Sequence, residues 1–96
     1  MDAMRKIEKV TPEEVMTFLL TRYSEAIIGM QLNLAELPDD FDLLLNGVID
    51  SFGILEMITA IDDEFRIQLD LALLDAKDIT KIGPLARYVA ATARRY

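Results

Sequence analysis

Cysteine and histidine are both missing from the 96-residue chain. Without cysteine there is no disulfide framework and no thiolate supplied by the chain itself. Without histidine the commonest general base and the commonest metal ligand are gone, which removes most hydrolase and metalloenzyme readings. Positive charge is also scarce. Ten Lys+Arg stand against seventeen Asp+Glu, a net charge of −7. Such a chain repels phosphate backbones and anionic bilayer surfaces, so neither nucleic acid nor membrane is an expected partner. Long apolar runs are absent too, because Arg22 and Glu25 interrupt the richest stretch. No segment is long enough to cross a bilayer. The charged start, Met1 to Lys6, does not read as a targeting signal, and a cytoplasmic soluble protein is expected. Hydrophobic residues make up 52%, too many for a disordered acidic chain, so a single folded domain with one modest core is expected.

Between Arg22 and Arg66 the chain carries ten acids and no base. A stretch of one sign is often mere solvated surface, but it can also steer a partner of opposite charge. Helical signals frame this stretch. Thr11-Pro12-Glu13-Glu14 reads as a capping box, with Val10 and Val15 spaced for a hydrophobic staple. Val15, Phe18, Leu19, Tyr23, Ala26 and Ile27 then follow helical spacing, predicting one helix from Pro12 to Ile28 ended by Gly29. Residues 1–10 read as an N-terminal extension, 11–93 as the domain and 94–96 as a basic tail.

From Gln31 to Asp50 the periodicity is lost. Pro38-Asp39-Asp40 breaks any helix and Asn46-Gly47 signals a turn. Leu44, Val48 and Ile49 are the loop residues expected to reach the core. A second helix is predicted from Ser51 as N-cap, burying Ile54, Met57, Ile58, Ile61 and Phe65 and exposing Glu56, Ala60, Asp63 and Glu64. Arg66 to Leu69 alternates but reads as too short to pair in a sheet. A brief helical turn is expected around Leu74–Asp78. A last helix is expected with Thr80 as cap and Ile82, Leu85, Ala86, Val89 and Ala93 as its core face. Arg94-Arg95 would sit at its negative pole.

Chemistry-bearing patterns are few. A calcium loop centred on Gly47 fails, since Leu44 and Gly53 stand where two ligands are required. Asp62 and Asp63, adjacent on a helix, point about 100° apart, and neither they nor Asp39-Asp40 suggest a burying pocket for an acid–base pair. No catalytic residue and no metal ligand is assigned. Taken alone, Ser51 reads as a plain N-cap.

The segment Asp42-Leu43-Leu44-Leu45-Asn46-Gly47-Val48-Ile49-Asp50-Ser51-Phe52 resembles the modification site of acyl and peptidyl carrier proteins. Glu56 and Asp62-Asp63-Glu64-Phe65 look like that family's acidic second helix, and residues 79–82 and 87–89 like its third-to-fourth helix junction. The resemblance covers about Pro12 to Val89. The Gly-Val-Ile-Asp-Ser-Phe wording is closer to D-alanyl and peptidyl carriers. Gly53 and Thr59 depart from the fatty-acid-synthesis pattern, which fits a specialised carrier.

The resemblance implies an all-α, four-helix bundle with a long loop between helices one and two and a short third helix. It implies 4′-phosphopantetheine from coenzyme A on Ser51, beside Asp50 and Phe52. It implies partner contacts at Asp50, Leu55, Glu56, Thr59, Asp62 and Asp63. The partners would be a phosphopantetheinyl transferase, an acyl- or aminoacyl-activating ligase, and synthase or acyltransferase enzymes with basic docking surfaces. The carrier itself would be a monomer and no enzyme. Two physical points stand beside the resemblance. A phosphodiester on Ser51 would meet the free N–H groups of a helix start, and a chain without cysteine gains a thiol only through such an arm. The alternative is an unmodified acidic helical adaptor that binds a partner through the same face.

Overall fold

The computed structural model describes residues 9–70, 72, 75–92 and 94–95. The expectations for residues 1–8, Leu74, Ala93 and Tyr96 lie outside these. Helix α1 (Pro12–Arg22) begins as its sequence dictates. The Glu14 N–H donates to the Thr11 hydroxyl and the Thr11 N–H to the Glu14 carboxylate, both at 3.1 Å. Val10 and Val15 are both buried, which is the packing a staple requires.

The single long helix does not form. Tyr23 leaves helical geometry at φ −107°, ψ 15°, and a separate helix α2 (Ser24–Gly29) follows. The Ser24 hydroxyl donates to the Thr21 carbonyl at 3.0 Å, a local bond that competes with the helical ladder. Ala26, expected inside, is exposed beyond this break, whereas Val15, Leu19 and Ile27 are buried. Gly29 is not the terminator either. Gln31 takes the left-handed turn at φ 66°, its N–H reaching Ile28 O and that of Leu32 reaching Ile27 O. This is a Schellman closure built on a glutamine.

The chain then runs through a short 3₁₀ turn (Leu34–Glu36) and a loop that buries Phe41, Leu43 and Ile49. Each such side chain contributes about 1.5–3 kcal/mol, which helps offset the entropy of ordering a long loop. Leu44, expected in the core, is 37% exposed, and Val48 is half-buried. Leu43 takes the inner position because its N–H bonds to Thr80 O at 2.8 Å, drawing its own side chain inward.

Helix α3 (Ser51–Phe65) buries Gly53, Met57, Ile58 and Ile61, with Ile54 and Phe65 half-buried. Arg66 closes it in the left-handed conformation at φ 56°. Strand β1 (Ile67–Gln68) follows, and it does pair. Its partner is β2 (Arg94–Arg95), antiparallel, with Ile67 opposite Arg95 and Gln68 opposite Arg94. Two residues are enough because the partner comes from 26 or more positions along the chain and not from a neighbouring strand; the dipeptide expected to serve the helix pole is a strand.

The expected third helix is, over its described part, a pair of turns across residues 76–80. Asp75 accepts the Lys77 N–H on its side chain at 3.1 Å, which favours turn over helix. Helix α4 (Ile82–Thr92) buries Ile82, Leu85, Ala86 and Val89, and packs chiefly against α1. Pro84 lies in its first turn, where a missing N–H costs nothing. Thr80 does not cap it, because its hydroxyl is buried and committed to Asp42. The fold is thus mostly helical, with four α-helices among the described residues. They are not the four expected: two come from the broken first helix and none from residues 76–80. No described helix is long and apolar enough to cross a membrane.

Candidate modification site at the start of helix α3

Asp42 organises the loop that leads to Ser51. It is 8% exposed, and one carboxylate oxygen accepts from Leu44 N–H at 3.0 Å, Leu45 N–H at 3.1 Å and the Thr80 hydroxyl at 2.8 Å. Its carbonyl accepts both the backbone N–H and the side-chain amide of Asn46. Burial pushes the Asp42 carboxyl up. The bonds from Leu45, Thr80 and Leu44, with the nearby Lys81 charge, outweigh that, and the pKa lies below the ordinary 3.8. The backbone is stitched to α4 as well: Asp42 bridges Lys81, Ile82 N–H donates to Phe41 O at 3.0 Å, and Gly83 N–H to Asp39 O at 2.8 Å.

Gly47 then turns the chain at φ 77°, a conformation that favours glycine and lets Val48 and Ile49 both bond back to Leu43 O. This delivers Asp50 in extended geometry, and here the structure departs from the sequence reading. Asp50, not Ser51, is the N-cap. Its carboxylate accepts the Gly53 N–H at 2.8 Å, and Ser51 is the first helical residue. Both residue types cap well; the backbone decides, since only Asp50 is extended at φ −108°, ψ −173°.

Ser51 is therefore released from structural duty. Its side chain is exposed and, among the described residues, its hydroxyl forms no hydrogen bond. Gly53 explains itself at close quarters. A Cβ there would lie 3.0 Å from the Ile49 Cβ and 3.4 Å from the Asp50 carboxylate, so any side chain would need Ile49 to give by a few tenths of an ångström. Phe52 and Leu55 beside the serine are 80% and 65% exposed, large apolar side chains left in water.

These positions make a prediction about stability. Asp50→Ala is expected to cost about 1 kcal/mol by orphaning the Gly53 N–H, seen as a lower urea midpoint with unchanged slope. A midpoint equal to wild type would show that the cap contributes nothing.

The outer side of α3 gathers four of the six expected partner residues. Leu55, Glu56, Thr59 and Asp63 line an open groove of about 560 Å³ together with Ala60 and, from α1, Arg22. Asp62 is not among them. It is half-buried and accepts the Leu69 N–H at 3.2 Å, so it fastens the chain after α3. Burial raises its pKa; the Leu69 bond lowers it and the neighbouring Asp63 charge raises it, with a net upward shift. Asp50 stands apart at the helix start, its carboxylate turned to Gly53.

Of the ten acids, Asp42, Asp50 and Asp62 hold backbone N–H groups, and Asp39 makes two bonds to the Arg87 guanidinium, at 2.8 and 3.0 Å. That bonding holds the Asp39 carboxyl below its ordinary value. Four of the ten acids thus serve the scaffold, and the other six are exposed. Sequence reasoning missed Arg22 in the groove, the Asp42–Thr80 pin and the Asp39–Arg87 pair. Gly83 carries a faint signal for the last, because a side chain there would overlap the Asp39 carboxylate.

In comparisons with known proteins, no family model, no curated protein and no solved structure matches the chain.

Proposed function

We propose that this protein is a carrier of acyl or aminoacyl groups, bound as thioesters to a 4′-phosphopantetheine arm on Ser51. The observation that carries the reading is the exposed Ser51 hydroxyl at the first position of α3, unbonded among the described residues, with Asp50 doing the capping. Among the described residues no side chain is bonded to that hydroxyl to activate it, so it suits an acceptor that another enzyme modifies. In that transfer the Ser51 oxygen bonds to the β-phosphorus of coenzyme A, the pyrophosphate bond breaks with release of adenosine 3′,5′-bisphosphate, and the hydroxyl proton passes to the transferase.

The residues present suit the group. The helix start offers further N–H groups and a positive pole to the phosphodiester. Gly53 keeps the first turn narrow, and Phe52 and Leu55 offer apolar surface to arm, cargo or partner. The arm itself supplies the thiol. In the same reading the α-helices form a carrier-type bundle, and the chain works as a cytoplasmic monomer without catalysis of its own. Its partners are a phosphopantetheinyl transferase, an acyl- or aminoacyl-activating ligase, and synthases or acyltransferases.

Incubation with coenzyme A, Mg²⁺ and a transferase of broad scope should add one phosphopantetheine by intact mass. A chain that stays unmodified with several such transferases sinks the proposal and leaves the acidic adaptor. Docking has its own test. Glu56 and Asp63 share the groove on α3, where charge governs encounter more than the final complex. Reversing both to lysine should slow transfer roughly tenfold at low ionic strength, the gap closing as salt rises, whereas reversing Glu25 and Glu36 should do little. An unaltered rate and salt dependence, with helical circular dichroism retained, would rule out steering by this face.

A further inference from the structure

We propose that a second groove, between α1 and the end of α3, binds a lysine- or arginine-bearing segment of a partner protein. It is open, measures about 550 Å³, and runs beside Thr17 and Thr21 of α1. Phe18 and Phe65 line it, both half-buried, their rings edge to face with centroids 5.7 Å apart at 77°. Carboxylates from both helices stand at the same groove, Glu13 from α1 and Glu64 from α3. Glu14 lies there too, but it already holds the Thr11 N–H.

The lining selects its occupant. Aromatic surface beside carboxylates fits a side chain that is apolar along its stem and cationic at its head. Lysine and arginine lay their methylenes on apolar surface while the head stays with water or anions, and a cation is attracted to an aromatic face within about 6 Å. A hydrated metal ion gains nothing from the two rings, and among the described residues no group of acids is placed to hold one. A second copy of the chain brings a like charge of −7 to an acidic groove. The occupant is therefore a basic segment with aliphatic side chains, such as one face of an amphipathic helix.

The groove is separate from the serine site. Ser51 opens α3 whereas Glu64 and Phe65 close it, about 20 Å away along the helix axis. It also excludes Leu55, Glu56, Thr59 and Asp63, which line the other groove. A partner seated here leaves Ser51 and its neighbours uncovered, so the same protein could be held at one end and worked on at the other.

The test uses the full ¹⁵N-labelled chain titrated at low ionic strength with a synthetic amphipathic helix of Lys and Leu, and with its Glu/Leu counterpart. The amide shifts should concentrate at Glu13, Thr17, Thr21 and Glu64 with the Lys/Leu peptide and be absent with the Glu/Leu peptide. Glu13→Lys with Glu64→Lys should weaken binding roughly tenfold, whereas Glu56→Lys with Asp63→Lys should change it by less than about twofold. Thr17→Arg keeps both carboxylates and puts a cation into the groove, so it should block the peptide too; it decides the matter if the double reversal fails to fold. Ser51→Ala should bind as wild type, which keeps this result separate from the carrier reading. Shifts centred on Glu56 and Asp63, or spread over the surface, would overturn the proposal, as would wild-type affinity in both the double reversal and Thr17→Arg.

Discussion

Replacing Ser51 with alanine is expected to abolish phosphopantetheine transfer completely while leaving thermal stability where it was. The two halves of this result come from one geometric fact. Ser51 is the first residue inside α3 and its hydroxyl bonds to nothing described, because Asp50 supplies the cap. Alanine is the best helix former, and exposed substitutions of this kind move stability by about 0.5 kcal/mol or less. Were Ser51 the cap, the same change would cost about 1 kcal/mol, so the melt tests the structure and the mass spectrum tests the function. An Ser51→Ala protein that still gains the arm would move the attachment point elsewhere. One that melts markedly lower would return the cap to Ser51.

The second large effect is expected at Asp42, nine residues before Ser51. Asp42→Ala strands the N–H groups of Leu44 and Leu45 and the hydroxyl of Thr80 around a buried site. Each unsatisfied group costs on the order of 1–3 kcal/mol, part of it regained where water enters. A loss of about 2–4 kcal/mol is expected, a large share of the stability of a small domain. Asp42→Asn keeps an oxygen for all three donors and should lose only about 1 kcal/mol.

The pH dependence separates these variants. Asp42 has its folded pKa below the ordinary 3.8, so its charged form contributes stability above that value and the contribution fades as pH falls through the folded pKa. Asp42→Asn should lose this part of the acid limb. Asp62 acts with the opposite sign: its folded pKa is raised, so its contribution is present below 3.8 and fades as pH rises through the folded value. Urea midpoints from pH 2 to 6 would reveal both, and an Asp42→Ala midpoint matching wild type would show that the pin bears no weight.

The contrast between Asp42 and Ser51 shows what could be read from sequence. Several signals whose deciding contacts were local held. The Thr11–Glu14 box, the Val10–Val15 staple, the Gly47 turn and the buried stripes of α3 and α4 all depend on residues within a few positions of one another. Two near neighbours misled for a definable reason. Asp50 and Ser51 are both good caps, and nothing in their order reveals which will be extended. Tyr23 carries no glycine or proline warning, so the break before Ser24 stayed hidden. Distant contacts were not legible at all. Asp42 stood among ten acids as one more surface charge until Thr80, 38 residues later, gave it a partner. Asp39 found Arg87 across 48 residues. At the candidate site the position of Ser51 was legible, its freedom from capping was not, and Asp62 turned out to be a fastener more than a docking charge.

The stitch between residues 39–43 and 80–83 also governs the order in which this protein can be completed. During synthesis the chain emerges from its N-terminus, so Ser51 exists well before the residues that steady its approach loop. Until Thr80 to Gly83 arrive, the loop's amides have only one another and water, and the serine hangs from a tether without a platform. Once closed, Leu43, Leu44, Leu45, Ile82 and Gly83 share one hydrogen-bonded seam, and their amide protons should exchange as a single cooperative unit. The platform beneath Ser51 is thus completed only once residues 80–83 have been made and have closed onto residues 39–43.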